Sequence, residues 1–172
     1  LAIKALLDGD ILIKTADVAG ALSVETSLSS HAGFHKNVHA LKSHLGQKIV
    51  ARNVEKMLQG SMIVKSHENC GKVQDPYSFR CIPHIHGACR DGISRSGEMV
   101  NNEINSVSDN PLVLKNGDVV SSGHFHGEHI AQALDFMAIS FSELGAVSER
   151  RIYFFMKGIE DVFHPFLTKN SG

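Results

Sequence analysis

Gln74, Tyr77 and Arg80 recur three residues apart within Gln74-Asp75-Pro76-Tyr77-Ser78-Phe79-Arg80-Cys81. In a helical turn that spacing puts an amide, a phenol and a guanidinium on one side, facing one small ligand. The planar fork of Arg80 suits a carboxylate, which it can grip through two parallel hydrogen bonds. Read locally, the same residues also describe a proline-started helical turn with an ordinary surface arginine.

A second constellation lies at Ser121-Ser122-Gly123-His124-Phe125-His126-Gly127-Glu128, where glycines flank an aromatic set between two histidines. Glycine permits a tight turn and close backbone approach. Phe125 is thereby placed to enter a cavity, or simply to pack at a helix start. Eleven histidines raise the question of a metal. His35 and His39 could chelate from one helical face, but Gly33 and the loop-like surroundings disfavour it. His84 and His86 point opposite ways on a helix. His124, His126 and His129 do not form a His-Glu-x-x-His pair around Glu128. No metal site is expected. Cys81 and Cys89 lie near His84 and His86 but lack an oxyanion loop, so a thiol nucleophile is not supported. Neither a phosphate-binding glycine loop nor a Gly-x-Ser-x-Gly elbow occurs.

The elements that must carry these residues are mostly helices. Apolar residues step by three and four over 1–30, from Leu6, Leu7 and Ile11 to Val18 and Leu22, with Gly9-Asp10 as a break or kink. The second half of this helix is rich in small residues (Ala16, Ala19, Gly20, Ala21), so another helix can approach it closely. Residues 29–46 read as a loop, and 47–59 as a short amphipathic helix closed by Gly60. Pro83 opens a helix that runs to about Val107 with Ile85, Cys89, Ile93, Val100, Ile104 and Val107 as its stripe. Ser108-Asp109-Asn110-Pro111 stops it. Leu112-Val113-Leu114, Asn116-Gly117 and Val119-Val120 predict a hairpin. A last helix over 127–157 is apolar nearly all round, which implies burial among other helices or in an oligomer.

Composition is that of an ordinary globular domain: 172 residues, 42% hydrophobic, 20% charged, net charge -1. There is no basic run to support nucleic-acid binding. No apolar stretch is expected to reach the ~20 residues that span a bilayer. Cys70, Cys81 and Cys89 form no disulfide framework, which points to a reducing, cytoplasmic setting. Leu1 begins inside an apolar-periodic segment and Asn170-Ser171-Gly172 closes no element, so residues 1–172 read as an internal piece of a longer chain.

Taken together, the segments resemble the aromatic amino acid ammonia-lyases, and the histidine-acting branch in particular. The resemblance is carried by Lys14 to Ser23, by Ser30-His31 with Val38-His39-Ala40-Leu41, and by His44-Leu45-Gly46-Gln47. It continues through Val73 to Cys81, Asn105 to Val113, Phe125-His126-Gly127-Glu128, and Glu143 to Arg151. All lie in the family's order and spacing. The resemblance implies a mainly α fold, a long-helix bundle of the ammonia-lyase type with one short β-hairpin. Residues 1–172 would be the central helical segment of a larger lyase domain truncated at both ends. It also implies a homotetramer whose active sites draw on more than one subunit.

The implied reaction removes ammonia from L-histidine to give urocanate. It uses a methylidene-imidazolone electrophile cyclised from an Ala-Ser-Gly. Phenylalanine or tyrosine lyases, aminomutases and a non-catalytic assembly module derived from the family are the alternatives. By motif, Arg80 would hold the substrate carboxylate and Tyr77 would act in catalysis. Gln74 would line the site, and Phe125 would pack against the prosthetic group. Ala-Ser-Gly occurs nowhere in the chain; Arg95-Ser96-Gly97 and Ser121-Ser122-Gly123 stand elsewhere in the order. The piece alone is therefore expected to be inactive. His124 stands where the family usually has asparagine, and His129 where proline is common.

Overall fold

The structure is a computed structural model that describes residues 1–67, 71, 73–159 and 162–170. Cys70, Ser171 and Gly172 lie outside the described residues. Three long helices dominate: α1 (Ala2–Thr26), α6 (Ile82–Ile104) and α7 (Glu128–Lys157), with α3 (Leu45–Leu58) packed across α6. Short helices α2 (Lys36–Ala40), α4 (Met62–Lys65) and α5 (Tyr77–Arg80) join them. A hairpin of β1 (Leu112–Val113) and β2 (Val119–Val120) pairs Leu112 with Val120 and Val113 with Val119. The hairpin forms where Asn-Gly predicts one, but its turn is a three-residue loop, Lys115-Asn116-Gly117, closed by Leu114 and Asp118, in which Gly117 takes a φ of 88° and Asn116 does not. The mainly helical class with one short hairpin is what the sequence predicted.

Close approach decides which helix faces meet. A Cβ on Gly87 would stand 2.4 Å from the Gln47 amide nitrogen, and one on Gly46 would stand 2.2 Å from the Gly87 carbonyl oxygen. Only glycine at both positions lets α3 and α6 cross backbone to backbone. On α1 the buried face is Gly9, Ile13, Asp17, Gly20, Ala21 and Val24. Leu7, Ile11, Val18 and Leu22, the strongest apolar marks in the sequence, stay exposed. Gly9 does not break α1. It makes room for Phe141 of α7, whose ring a Cβ there would meet at 2.9 Å.

Other differences have equally local causes. The stretch expected as a loop over 29–46 contains α2, started by the His35 ring, whose Nδ1 accepts the Asn37 amide at 3.3 Å. The stripe of α6 is buried only as far as Val100. Ile104 and Val107 are exposed because α1 and α7 no longer cover that end. On α7 the buried residues are Ala133, Met137, Ser140, Leu144, Val147 and Arg151, alternating by four and three, which is the seam of helices packed nearly parallel. Phe136, Ile139, Ile152 and Tyr153 lie outside that seam and are exposed. The expectation that no stretch reaches bilayer-spanning length is corrected by α7, which reaches it by length and by a mean hydropathy of 1.3. Its seam, with Ser140 and Arg151 buried, packs against α1 and α6 while its other faces stay open.

One buried polar cluster joins four helices. Asp17 of α1 accepts from His86 Nδ1 at 3.1 Å, from Arg90 at 2.8 Å (both α6) and from Asn53 of α3 at 3.0 Å. His86 Nε2 faces an Arg151 guanidinium nitrogen of α7 at 3.4 Å. That nitrogen can only donate, so Nε2 accepts in this contact while Nδ1 donates to Asp17. Burial pushes the Asp17 carboxyl up, but hydrogen bonds from His86 and Asn53 and the charge of Arg90 outweigh it and hold the group below its usual range.

Two expectations follow. Gly87→Ala should cost about 3 kcal/mol or more in urea unfolding, whereas Gly145→Ala, with open space around it, should be neutral or gain about 1 kcal/mol. Folded Asp17 binds its proton more weakly than the unfolded carboxyl of pKa 3.8. Its contribution is therefore complete well above that pH and is lost as pH falls below it. Asp17→Asn should cost about 3 kcal/mol at pH 7 and flatten the acid limb of stability measured by denaturant titration.

Candidate active site

Tyr77 and Arg80 occupy the two ends of α5, a single turn started by Pro76 in an extended conformation (φ -55°, ψ 147°). Ser78 and Phe79 between them are buried, with Phe79 edge-on to Phe154 and Phe155 of α7 at ring separations of 5.1 and 5.8 Å. Burying the middle of the turn forces its two ends outward. Both Tyr77 and Arg80 are exposed, and the guanidinium carbon lies 5.9 Å from the centre of the phenol ring. Arg80 Nε donates to the Asp75 carbonyl at 3.1 Å.

Gln74 does not share that face. Extended backbone at Pro76 breaks the spacing of three, and Gln74 instead lines a cleft of about 380 Å³ with Ser29, Ser30, His31, Val64 and Asp75. Tyr77 lines a different cleft, of about 420 Å³, between α5, the first turns of α6 and the second half of α7, beside Glu143, Val147, Arg150, Tyr153 and Phe154. The octet therefore stands between two hollows rather than in one.

Phe125 is elsewhere. It sits 64% exposed on a turn closed by the His126 amide and the Gly123 carbonyl at 2.9 Å, just ahead of α7. His124 Nδ1 pairs with the Ser122 hydroxyl at 2.6 Å, and His126 lies 3.6 Å from the Glu128 carboxylate. Tyr77 shares its cleft with α7 from Glu143 to Phe154, so roughly 20 to 40 Å of helix, at 1.5 Å per residue, lies between that cleft and the turn that carries Phe125. One copy of the chain does not bring the two aromatics together.

The histidines and thiols are structural where they are buried. His39 Nε2 donates to the Gly33 carbonyl at 2.9 Å and Nδ1 accepts from Gln47 at 2.9 Å, which uses both ring nitrogens. Among the described residues no His, Cys, Asp and Glu group could hold a metal ion. Cys89 is buried, and its thiol is pushed up to about 11, mainly by that burial, which keeps it un-ionised at neutral pH. The cluster of Asp17, His86 and Arg151 is the feature that sequence reasoning missed. Its only sign was a set of polar residues standing on otherwise small or apolar helix faces.

The family model for aromatic amino acid lyases matches residues 1–172. Histidine ammonia-lyase of Myxococcus xanthus is 44% identical over 167 residues, which cover 96% of this chain and 33% of that protein. The Burkholderia multivorans histidine ammonia-lyase is 43% identical over 173 residues, 100% of this chain and 34% of its own length. Among solved structures, histidine ammonia-lyase from Trypanosoma cruzi superposes with a TM-score of 0.85 at 35% identity, covering 99% of this chain and 31% of that one. Phenylalanine aminomutase from Pantoea agglomerans does so at 0.82 and 30% identity, over 99% and 36%. The chain thus spans about a third of the length of the relatives it matches. With the family's motifs, its helical fold and a match over its whole length, the chain belongs to the aromatic amino acid lyase family.

Proposed function

We propose that these residues form the part of a histidine ammonia-lyase that binds the carboxylate of L-histidine and works on its proton, in a protein that releases ammonia and urocanate. The observation that carries this reading is the exposed pair on α5, with Arg80 and Tyr77 held 5.9 Å apart by the buried Phe79. Identities of 42–44% to proteins named histidine ammonia-lyase, and among solved structures 35% to a histidine ammonia-lyase against 30% to the phenylalanine aminomutase, favour histidine as the substrate.

In this reading Arg80 binds the substrate carboxylate end-on through its terminal nitrogens. That fixes the α-carbon relative to the turn. The Tyr77 phenol, one turn away, orients the substrate or carries a proton at its oxygen. Gln74 offers an amide from the neighbouring cleft. The family's methylidene-imidazolone, whose Ala-Ser-Gly would lie outside residues 1–172, supplies an electrophile that captures the substrate and helps ammonia depart. The exposed ring of Phe125 fits such a flat group as a packing surface, because glycines on either side keep its turn uncrowded.

The separation of Phe125 from Tyr77 supports a complete site that draws the two from different copies. Exposed Leu7, Ile11 and Leu22 on α1 and Phe136, Ile139 and Ile152 on α7 supply apolar surface for that assembly, which we take to be a homotetramer. A cytoplasmic location belongs to the same reading, supported by Cys81 and Cys89 as free thiols.

In the full-length protein, L-histidine should yield urocanate, followed by its ultraviolet absorbance. Product from L-phenylalanine or L-tyrosine but not from L-histidine would move the substrate within the family. A full-length sequence without Ala-Ser-Gly would make the protein a non-catalytic assembly module. Tyr77→Phe should lower kcat about 100-fold or more with little change in KM, and Arg80→Met should raise KM about 100-fold. Residues 1–172 alone should form no urocanate. In sedimentation they should self-associate, and a well-behaved monomer that binds no apolar dye would contradict the assembly.

A further inference from the structure

Asp75 is engaged on two sides. Its carboxylate accepts the backbone N–H of Ser30 at 2.6 Å, and its own carbonyl accepts Arg80 Nε–H at 3.1 Å. Ser30 belongs to the connection that follows α1, far away in sequence. Three residues on, Gly33 lies against Arg80 itself, where a Cβ would meet the Arg80 carbonyl oxygen at 3.5 Å and its Cβ at 3.7 Å. That connection is itself held from behind, because the Gly33 carbonyl accepts from His39, which is 1% exposed and in turn bonded to Gln47 of α3. A firm base therefore grips Asp75, and Asp75 grips the guanidinium.

The geometry matters for what Arg80 can do. A guanidinium presents five N–H donors in one plane, and engaging Nε fixes that plane while leaving the terminal nitrogens free to form a fork. Without the Nε bond, an exposed arginine samples many rotamers, all of which must be frozen when a carboxylate binds. The acid of Asp75 also faces the Ser30 amide rather than the guanidinium, so it does not compete with a carboxylate ligand for the fork.

We propose that Asp75 is a positioning residue for carboxylate recognition: its side chain locks the peptide whose carbonyl orients Arg80. This rests on the reading of Arg80 as the carboxylate holder. The test is saturation kinetics with L-histidine in the full-length enzyme. Asp75→Ala should raise KM about tenfold and leave kcat within about twofold. Asp75→Asn keeps an oxygen that accepts the Ser30 amide, so it should hold KM within about threefold of the parent. Combined with Arg80→Met, Asp75→Ala should add almost nothing, since both act on one interaction.

If Asp75→Ala fails to fold, Asp75→Ser, too short to reach the Ser30 amide, takes its place. An unchanged KM in Asp75→Ala beside a raised KM in Arg80→Met would overturn the proposal. So would an Asp75→Ala effect that persists in full on the Arg80→Met background. An unchanged KM in Arg80→Met itself would remove the carboxylate reading, and this inference would fall with it.

Discussion

The Asp17 carboxylate is the point on which the four-helix arrangement depends. It is 2% exposed, yet it carries a charge, and a buried charge survives only when it is paired and hydrogen-bonded. Arg90, His86 and Asn53 meet that demand, and His86 passes the constraint on to Arg151 of α7. Each partner comes with a helix attached, so satisfying one carboxylate sets the registers of α1, α3, α6 and α7 together. Such a cluster gives specificity more than raw stability, since apolar residues of the same volume could pack as well without naming a unique register.

That register reaches the candidate site by a short route. His86 lies in the second turn of α6, and only Cys81 separates α6 from α5. Arg151 lies between Arg150 and Tyr153, which wall the cleft beside Tyr77. The buried Phe79 then couples the turn to Phe154 and Phe155, and the ends of the turn have no direction left but outward. Tyr77 and Arg80 are exposed because the residues between them are not. Their solvent-facing placement is a consequence of core packing rather than of any preference of their own.

The helices of this chain are two-sided. One side of α1 and of α7 is used within the chain, through small residues on α1 and a heptad seam on α7. The other side keeps its apolar residues in the open. Solvent exposure of that much apolar surface is unfavourable, and packing of further protein against it would relieve that cost. The length of α7 keeps Phe125, just ahead of its first turn, well apart from Tyr77, which shares a cleft with its second half.

Much of this was legible in the sequence, for identifiable reasons. The long helices showed in three- and four-residue periodicity, and the hairpin showed in Asn116-Gly117, whose backbone demands are local. Tyr77, Arg80, Gln74 and Phe125 stood out because chemically capable side chains were clustered near glycine or proline. Periodicity cannot say which of several faces is buried, and it favoured Leu7, Ile11 and Val18 on α1. The structure buries Gly9, Gly20 and Asp17 instead, because close approach to α6 and α7 rewards small side chains and one satisfied carboxylate more than large exposed ones.

Only the tertiary structure paired Asp17 with His86 and Arg90, brought Arg151 to His86, joined Asp75 to Ser30, divided Gln74 from Tyr77 and set Phe125 apart from Tyr77. Those are relations between residues distant in sequence. Local propensity and spacing carry no information about them, and they exist only once helices have packed and every buried polar group has found its partner.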